Sequence, residues 1–351
     1  MKINRIPTVW LPLTYRCNNK CSWCYAKNET LRDRDLSDKN ENLFLNFLSD
    51  LNVGKIVLIG GEPTLYQNIH RLISEANNKN IRIGMVSNGR KLSEYNFCKR
   101  LKDSGIYSVT VSLEGSKEKL HDKITNVKGS FRQSLKGLEN AIALGINSST
   151  ETVMSRENED DLEEIVSLVE QYDLKQSAFS ICGPCISDVE NSDFSLTLNE
   201  GARMFEKVFK KAKYKDRMKL ITSTTICSFD KELYTEMKRK KVVSKGCHIL
   251  TGFRFVLEPN GDVIPCVHFA GLPIFNIFGE GDIIMSSQEF LDEYNSPKGP
   301  NQKFRKLLRR YPSTKCKDDE CWGEQCAGGC PIFWSKYDPE MEIKGLVSND
   351  I

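Results

Sequence analysis

Three cysteines fall within eight residues of one another, Cys17, Cys21 and Cys24. Thiolates this close on one loop can hold a single metal cluster. A four-iron cluster has four corners, so three cysteines leave one iron open. An open coordination position marks reaction chemistry rather than scaffolding, as it does at zinc. The alternatives from spacing alone are a zinc knob and chance clustering. A second field lies far along the chain. Cys247 is followed by thirteen residues, Gly261, four residues and Cys266. Then come Cys316, Cys321, Cys326 and Cys330, with Gly328-Gly329 before the last. A zinc ribbon over 316–330 is the purely structural alternative there.

The four histidines, at 70, 121, 248 and 268, do not stand at zinc-finger spacing from these cysteines, so the metal chemistry is thiolate chemistry. They form no constellation, and His121 and His268 read as structural. The cysteine count is 13, an odd number, and the N-terminus has no apolar export signal. Both facts argue for free thiols in a reducing cytoplasm rather than a disulfide framework. Cys182-Gly-Pro-Cys185 has the spelling of a redox pair, or of a hydrogen donor, although no thioredoxin-type helix follows it. Cys98, beside Leu101 in a helical stretch, reads as a buried structural thiol.

Strands must position these loops. Apolar runs at 9–14, 55–59, 81–86 and 107–113 read as buried strands, and 146–153 and 175–181 as a fifth and sixth. Helical spacing fills the gaps at 42–51, 68–78, 92–102, 131–144 and 161–172. Ile69, Leu72, Ile73 and Ala76 share one face, as do Leu162, Ile165, Val166 and Val169. Asp160 or Asp161 is placed to cap the last of these helices, with Glu163 and Glu164 in its first turn. Strand–helix alternation predicts parallel strands with right-handed crossovers and ligand sites at the strands' C-terminal ends. The fold class is therefore α/β, a six-stranded parallel partial barrel followed by a small cysteine-rich region. Beyond 186 the pattern changes: 199–213 is helical, 231–241 is a basic helical run with a solvated face, and 253–266 is a hairpin with an Asn-Gly turn.

The 351 residues allow roughly two domains. With 39% hydrophobic and 28% charged residues, long disorder is excluded. No run reaches the roughly 18 apolar residues of a membrane span. A net charge of +3 is too mild to imply nucleic acid.

The motifs after the strands carry a family resemblance. Cys17-x3-Cys21-x-Trp23-Cys24, directly after the first strand, resembles the radical SAM superfamily, with Trp23 in the aromatic slot. Gly60-Gly61-Glu62-Pro63 ends the second strand as the family's G-G-E does. There the glycines let backbone approach a ligand, and in the family the segment meets the amino group of the S-adenosylmethionine (SAM) methionine. Ser87-Asn88-Gly89 resembles the T-N-G after the third strand, and Ser112-Leu113-Glu114-Gly115 the S-L-D-G near the ribose. His121-Asp122-Lys123 with Gly129-Ser130-Phe131 resembles the downstream H-D-x-R…G-S-F run, from whose arginines Lys123 and Thr125 depart. Each motif alone is weak; together, in order and at strand ends, they cover residues 8 to 180. The resemblance implies that Trp23, Gly60, Gly61, Glu62, Ser87, Asn88, Ser112 and Glu114 bind SAM beside a 4Fe–4S cluster on Cys17, Cys21 and Cys24.

The second field resembles the SPASM extension of such enzymes. The Cys247–Gly261–Cys266 element matches fully; the later one matches in its order and its final spacing, and no cysteine follows 330. Carried over by position, Cys247, Cys266 and Cys330 would serve a first auxiliary cluster and Cys316, Cys321 and Cys326 a second. Each is then one ligand short, with Cys227 a candidate for the first and Asp318, Asp319 or Glu324 for the second. A single auxiliary cluster, as in twitch-type relatives, is the alternative. The expected division is 1–215 for the radical SAM core and 216–351 for the auxiliary region. The resemblance implies reductive cleavage of SAM to a 5′-deoxyadenosyl radical and hydrogen abstraction from a ribosomally made peptide, ending in a crosslink or epimerisation. Cys182 or Cys185 would then be placed to quench a substrate radical. A sulfatase-type maturase, a small-molecule dehydrogenase and a non-catalytic iron–sulfur or zinc scaffold are the other readings. Expected partners are a peptide or protein substrate, a flavodoxin or ferredoxin as reductant and, given the short run before the first strand, either a separate leader-peptide recognition protein or direct binding of the peptide to the enzyme.

Overall fold

The computed structural model describes residues 3–27, 31, 34–183, 194–244, 246–279, 283–308, 326 and 328–333. Among them one sheet of ten strands forms. In chain order these are β1 (Thr8–Thr14), β2 (Lys55–Gly60), β3 (Arg82–Ser87), β4 (Ser108–Ser112), β5 (Asn147–Met154), β6 (Ser177–Ile181), β7 (Met218–Leu220), β8 (Arg254–Leu257), β9 (Asp262–Ile264) and β10 (Phe275–Asn276). The sheet order is β10-β9-β8-β1-β2-β3-β4-β5-β6-β7. The six expected strands are present as consecutive parallel neighbours. The sheet then runs further on both sides. β7 adds in parallel to β6, and β8 adds in parallel to β1 with Thr8 opposite Arg254. β8, β9 and β10 continue antiparallel around the expected hairpin. Strands from either side of residue 215 thus join one sheet.

The helices are α1 (Asp38–Asp50), α2 (Ile69–Asn78), α3 (Tyr95–Asp103), α4 (Glu118–Thr125), α5 (Ser130–Ala143), α6 (Leu162–Val169), α7 (Leu198–Lys211), α8 (Lys231–Arg239), α9 (His248–Thr251), α10 (Ser287–Asn295) and α11 (Pro300–Leu308). The apolar faces read from spacing are the buried ones on α2 and α6. None of the described helices is long and apolar enough to cross a membrane. Asp161 stands at the N-cap of α6 but makes no capping bond. Its carboxylate instead accepts from the backbone N–H and hydroxyl of Ser116, tying the β4–α4 loop to α6. Glu163 and Glu164 do occupy the first turn of α6.

Strand alternation sorts the side chains. Val9, Leu11, Ile56, Leu58, Ile83, Met85, Val109 and Val111 are fully buried in the main core, which also contains the buried faces of α1, α2, α3 and α5. Trp10, Val57, Ile59 and Val86 point the other way and join a second apolar cluster with Ile249, Phe269, Phe304 and Ile332. The C-terminal segments therefore cover the β8–β1–β2–β3 part of that face. On β4 to β6 the same side is polar and half-buried, with Thr110, Ser112, Ser149, Glu151 and Ser180. Cys98 is fully buried in the main core, as its helical position suggests.

Candidate active site

The loop after β1 begins where two glycines allow very close packing. A Cβ on Gly60, whose φ is +123°, would stand 2.3 Å from the Thr14 carbonyl oxygen, and one on Gly61 would stand 2.3 Å from that of Arg16. The Gly61 and Glu62 N–H groups donate to these same carbonyls at 2.8 and 2.9 Å. So what approaches the glycines is the chain's own backbone, just before Cys17.

Glu62 is fully buried. Its carboxylate accepts from the Thr64 N–H (3.1 Å), the Thr64 hydroxyl (2.7 Å), the Ser87 hydroxyl (2.8 Å) and the Asn88 N–H (2.8 Å). It locks the end of β2 to the end of β3. Burial pushes its carboxyl up against the pull of these donors. Asn88 stands half-buried beyond this lock. Its amide donates to Asn18 Oδ1 at 2.6 Å and lies 3.9 Å from Cys17 Sγ. Arg90 donates to the Asn18 carbonyl and, at 3.1 Å, to Asn19 Oδ1. On the other side the Lys20 and Ser22 N–H groups donate to the Thr125 and Ile124 carbonyls at the end of α4, and the Tyr25 hydroxyl donates to Gly60 O. The spacing of the cysteines did not single out Asn18, Asn19 or Arg90. Arg90 directly follows Ser87-Asn88-Gly89, and that adjacency is the signal a sequence reading could have used.

On this loop Cys17 is exposed, and Cys21 and Cys24 are half-buried. Loss of water around its thiol pushes Cys17 up to about 12, helped by the Glu62 and Cys24 charges and opposed by the Asn19 N–H. Cys21 is raised by burial and by Glu114, Cys24 and Cys17. Burial thus favours the neutral thiol at Cys17 and Cys21, and a positively charged metal group would favour their thiolates. Zinc needs its sulfurs about 2.3 Å from one centre. Among the described residues no three His, Cys, Asp or Glu side chains are grouped to hold a single metal ion. The Trp23 indole N–H is buried with no partner among the described residues, a donor beside the cysteines that a ligand could meet.

Ser112 is half-buried and stands opposite Glu151 in register. Glu114 is buried and turned inward, its carboxylate accepting from the Val153 N–H at 3.0 Å. Burial, with a further push from Glu151, raises it to about 8. Its own N–H donates to His121 Nδ1 at 3.2 Å. His121 is buried and held down to about 4 by that burial. Of the residues expected to meet SAM, Glu62, Ser87 and Glu114 thus brace strand ends, while Trp23, Asn88 and Ser112 are half-buried.

Cys247 and Cys266 are both 8% exposed, inside the second apolar cluster, and Cys330 packs against it. Cys330 is pushed far up by burial and by the charges of Cys247 and Cys266, so these three thiols stand together. Cys326 is half-buried, and Cys227 is exposed on the single turn Ile226–Ser228. Cys182 is buried after β6, and a Cβ on the next residue, Gly183, would meet the Phe333 ring at 2.6 Å. Cys185, Cys316, Cys321, Asp318, Asp319 and Glu324 lie outside the described residues.

Comparison with known proteins agrees with this geometry. Residues 11–169 match the family model of the Radical SAM superfamily. Fe-coproporphyrin III synthase of Methanosarcina barkeri is 31% identical over 49% of this chain and 43% of its own length. Mycofactocin maturase MftC of Mycolicibacterium smegmatis is 27% identical over 46% of this chain and 41% of its own. The matched stretch is thus less than half of these relatives. Among solved structures, native anSMEcpe with bound AdoMet superposes with a TM-score of 0.68 at 19% identity, covering 92% of this chain and 89% of that one. Streptococcus suis SuiB bound to S-adenosylmethionine superposes with a TM-score of 0.64 at 17% identity, covering 95% and 75%. At such identities the likeness is one of fold. The stretch that matches the Radical SAM superfamily, residues 11–169, is the one that carries the three-cysteine loop at the end of β1.

Proposed function

We propose that this protein reductively cleaves S-adenosylmethionine and uses the radical to take hydrogen from a ribosomally made peptide, leading to a crosslink or epimerisation. The observation that carries the reading is the loop itself: three thiols, one exposed and two half-buried, held between Asn88 and the end of α4, beside a Trp23 N–H that has no partner among the described residues. Cys17, Cys21 and Cys24 would hold a 4Fe–4S cluster. When bound, the reduced cluster and SAM supply a 5′-deoxyadenosyl radical, the hydrogen abstractor. The chain's part is to bind, orient and shield. Asn88 and Arg90 fix the loop through Asn18 and Asn19, Glu62 and Glu114 tie neighbouring strand ends together, and the polar side of β4 to β6 faces the substrate.

In this reading 1–215 is a six-stranded partial barrel core, and 216–351 carries one or two auxiliary iron–sulfur clusters of SPASM or twitch type. Cys247, Cys266 and Cys330 ligate the first, with Cys227 or a group outside the described residues completing it. The peptide substrate is supported by this second thiol cluster. It is supported too by fold likeness over most of the chain to SuiB, solved with precursor peptide SuiA, and to anSMEcpe, solved with Kp18Cys peptide. A cytoplasmic flavodoxin or ferredoxin would supply the electron, and a separate protein would present the leader peptide. A small-molecule substrate is the second reading, favoured by the 31% identity to Fe-coproporphyrin III synthase.

The test is 5′-deoxyadenosine release by the anaerobically reconstituted protein with SAM and a strong reductant, with and without the short peptide encoded nearest its gene. Stimulation with a mass change in the peptide is the expected result. Release that ignores the peptide moves the substrate to the second reading. Bound zinc with little iron overturns the enzyme reading altogether.

A further inference from the structure

Between the two cysteine fields lies a buried polar pair that the chemistry above leaves unused. Tyr15, at the end of β1 and two residues before Cys17, is 4% exposed, and Glu258, at the end of β8, is fully buried. The Tyr15 hydroxyl donates to both carboxyl oxygens, at 2.7 and 2.8 Å. Glu258 is itself rigidly placed. Its N–H donates to Asp262 O and its carbonyl accepts from the Gly261 N–H, closing the β8–β9 turn. The Asn40 amide on α1 holds the next carbonyl, that of Pro259, at 2.9 Å. Arg34 lies near enough to favour both ionised forms, and its Nη1 is buried 3.8 Å from Asp262 Oδ2. Tyr15 shares its apolar cluster with Cys247 and Cys266, and Cys24 and Cys330 pack against that cluster. Backbone bonds from Gly61 and Glu62 hold Thr14 and Arg16 on one side. Between those two residues, the Tyr15 side chain takes its polar hold from the β8–β9 turn.

A carboxyl buried in an apolar cluster is costly unless its partner holds a required geometry. We propose that Glu258 is a positioning residue for the 17–24 loop, acting through Tyr15, so that the hairpin of the second cysteine field sets the geometry of the first. Loop placement is a property of the polypeptide alone; the cluster-based part of the test rests on the proposed function.

The test is pulsed iodoacetamide labelling of the metal-free full chain, read by peptide mass at Cys17, Cys21 and Cys24, with buried Cys98 as the folding control. Tyr15→Phe and Glu258→Leu should each speed labelling of the loop by about fivefold, the loss of one buried hydrogen bond. The double variant should be no faster than either. Glu258→Gln, which keeps an acceptor for the tyrosine, should restore slow labelling. Unchanged loop labelling with Cys98 still protected overturns the proposal, as does an additive double variant. If Glu258→Leu exposes Cys98 it has unfolded, and Tyr15→Phe, which removes one oxygen atom, decides. In reconstituted protein, Tyr15→Phe should shift the EPR signal of the reduced first cluster on SAM addition; an identical spectrum overturns the positioning role. A wild-type chain that takes up no iron sinks the proposed function, while the labelling still judges this inference.

Discussion

Cys17, Cys21 and Cys24 come from one turn of chain, stand exposed or half-buried, and are held by hydrogen bonds to three neighbouring segments. Cys247, Cys266 and Cys330 come from three separate segments, the first two inside an apolar cluster and the third packed against it. The first arrangement keeps a face open to small molecules and fixes it through directional bonds. The second buries Cys247 and Cys266, with Cys330 half-buried against the same apolar cluster. Openness suits a site where something must bind and leave; enclosure suits a group that stays, holds the fold and passes electrons. The two are physically adjacent, since Cys24 packs against the cluster that contains Cys247 and Cys266.

The largest expected effect tests that contrast directly. Replacing Cys17, Cys21 or Cys24 by Ala should abolish SAM cleavage and remove about four irons per chain. Replacing Cys247, Cys266 or Cys330 by Ala should also lower the iron content but leave SAM cleavage in place, with turnover of the substrate lost. Iron analysis and 5′-deoxyadenosine assays on the six variants read both. Cleavage that survives loss of Cys21, or vanishes with loss of Cys330, would erase the distinction.

Second in size is the lock at the end of β2. Glu62→Ala strands the Thr64 and Asn88 N–H groups and two hydroxyls inside the protein. Buried donors without partners are penalised individually, and we expect a loss of about 4 kcal/mol in denaturant unfolding. At the second field, Cys266→Ala removes one sulfur from an apolar cluster and should cost about 1–2 kcal/mol in the same experiment, the smaller penalty of a packing defect.

How far these roles were legible depends on their range. Buried parallel strands are apolar runs ended by glycine, so 55–59 and 81–86 announced β2 and β3. Met218–Leu220 has only three residues in a basic stretch, and β7 escaped notice. Nothing local in Arg254–Leu257 says that it pairs with Thr8–Trp10. In the site, the cysteine spacing spoke plainly because the three thiols are neighbours in sequence. Glu62 was legible as important but not in its role: a motif gives the residue, and only the fold shows that its carboxylate faces inward. Tyr15 and Glu258 carried no signal, because a hydrogen bond across 243 positions leaves no spacing to recognise.

A pH slope separates the inward carboxylates from the open thiols. Glu114 is raised from 4.5 to about 8 by burial, so the folded protein holds this proton where the unfolded chain releases it. Its contribution to stability is complete below pH 4.5 and is lost as pH rises toward 8. Denaturation midpoints of Glu114→Gln and wild type should therefore diverge across that window, the wild type falling relative to the variant. Parallel curves would mean that Glu114 is ionised in the fold.

The smallest effect concerns the support behind the open field. The Asp122 carboxylate accepts from the Gly129 N–H (2.5 Å), the Ser130 hydroxyl (2.8 Å) and the Phe131 N–H (2.9 Å). It thereby caps α5 from the end of α4 and ties the His121-Asp122 step to the Gly129-Ser130-Phe131 step. α4 carries the carbonyls that hold Lys20 and Ser22, while on α5 the Ser134 hydroxyl donates to Asn88 O at 2.6 Å. Asp122→Ala should cost about 1–2 kcal/mol, as loss of a cap does. Burial opposes ionisation here, but the three donors outweigh it and hold the carboxyl below its ordinary 3.8. The stabilisation is thus present above 3.8 and fades as pH falls through the lower folded value, so wild type and variant should converge in acid. Because both helices brace the 17–24 loop, the variant should also raise the KM for SAM more than it lowers kcat. A change in kcat alone would place Asp122 in the chemistry rather than behind it.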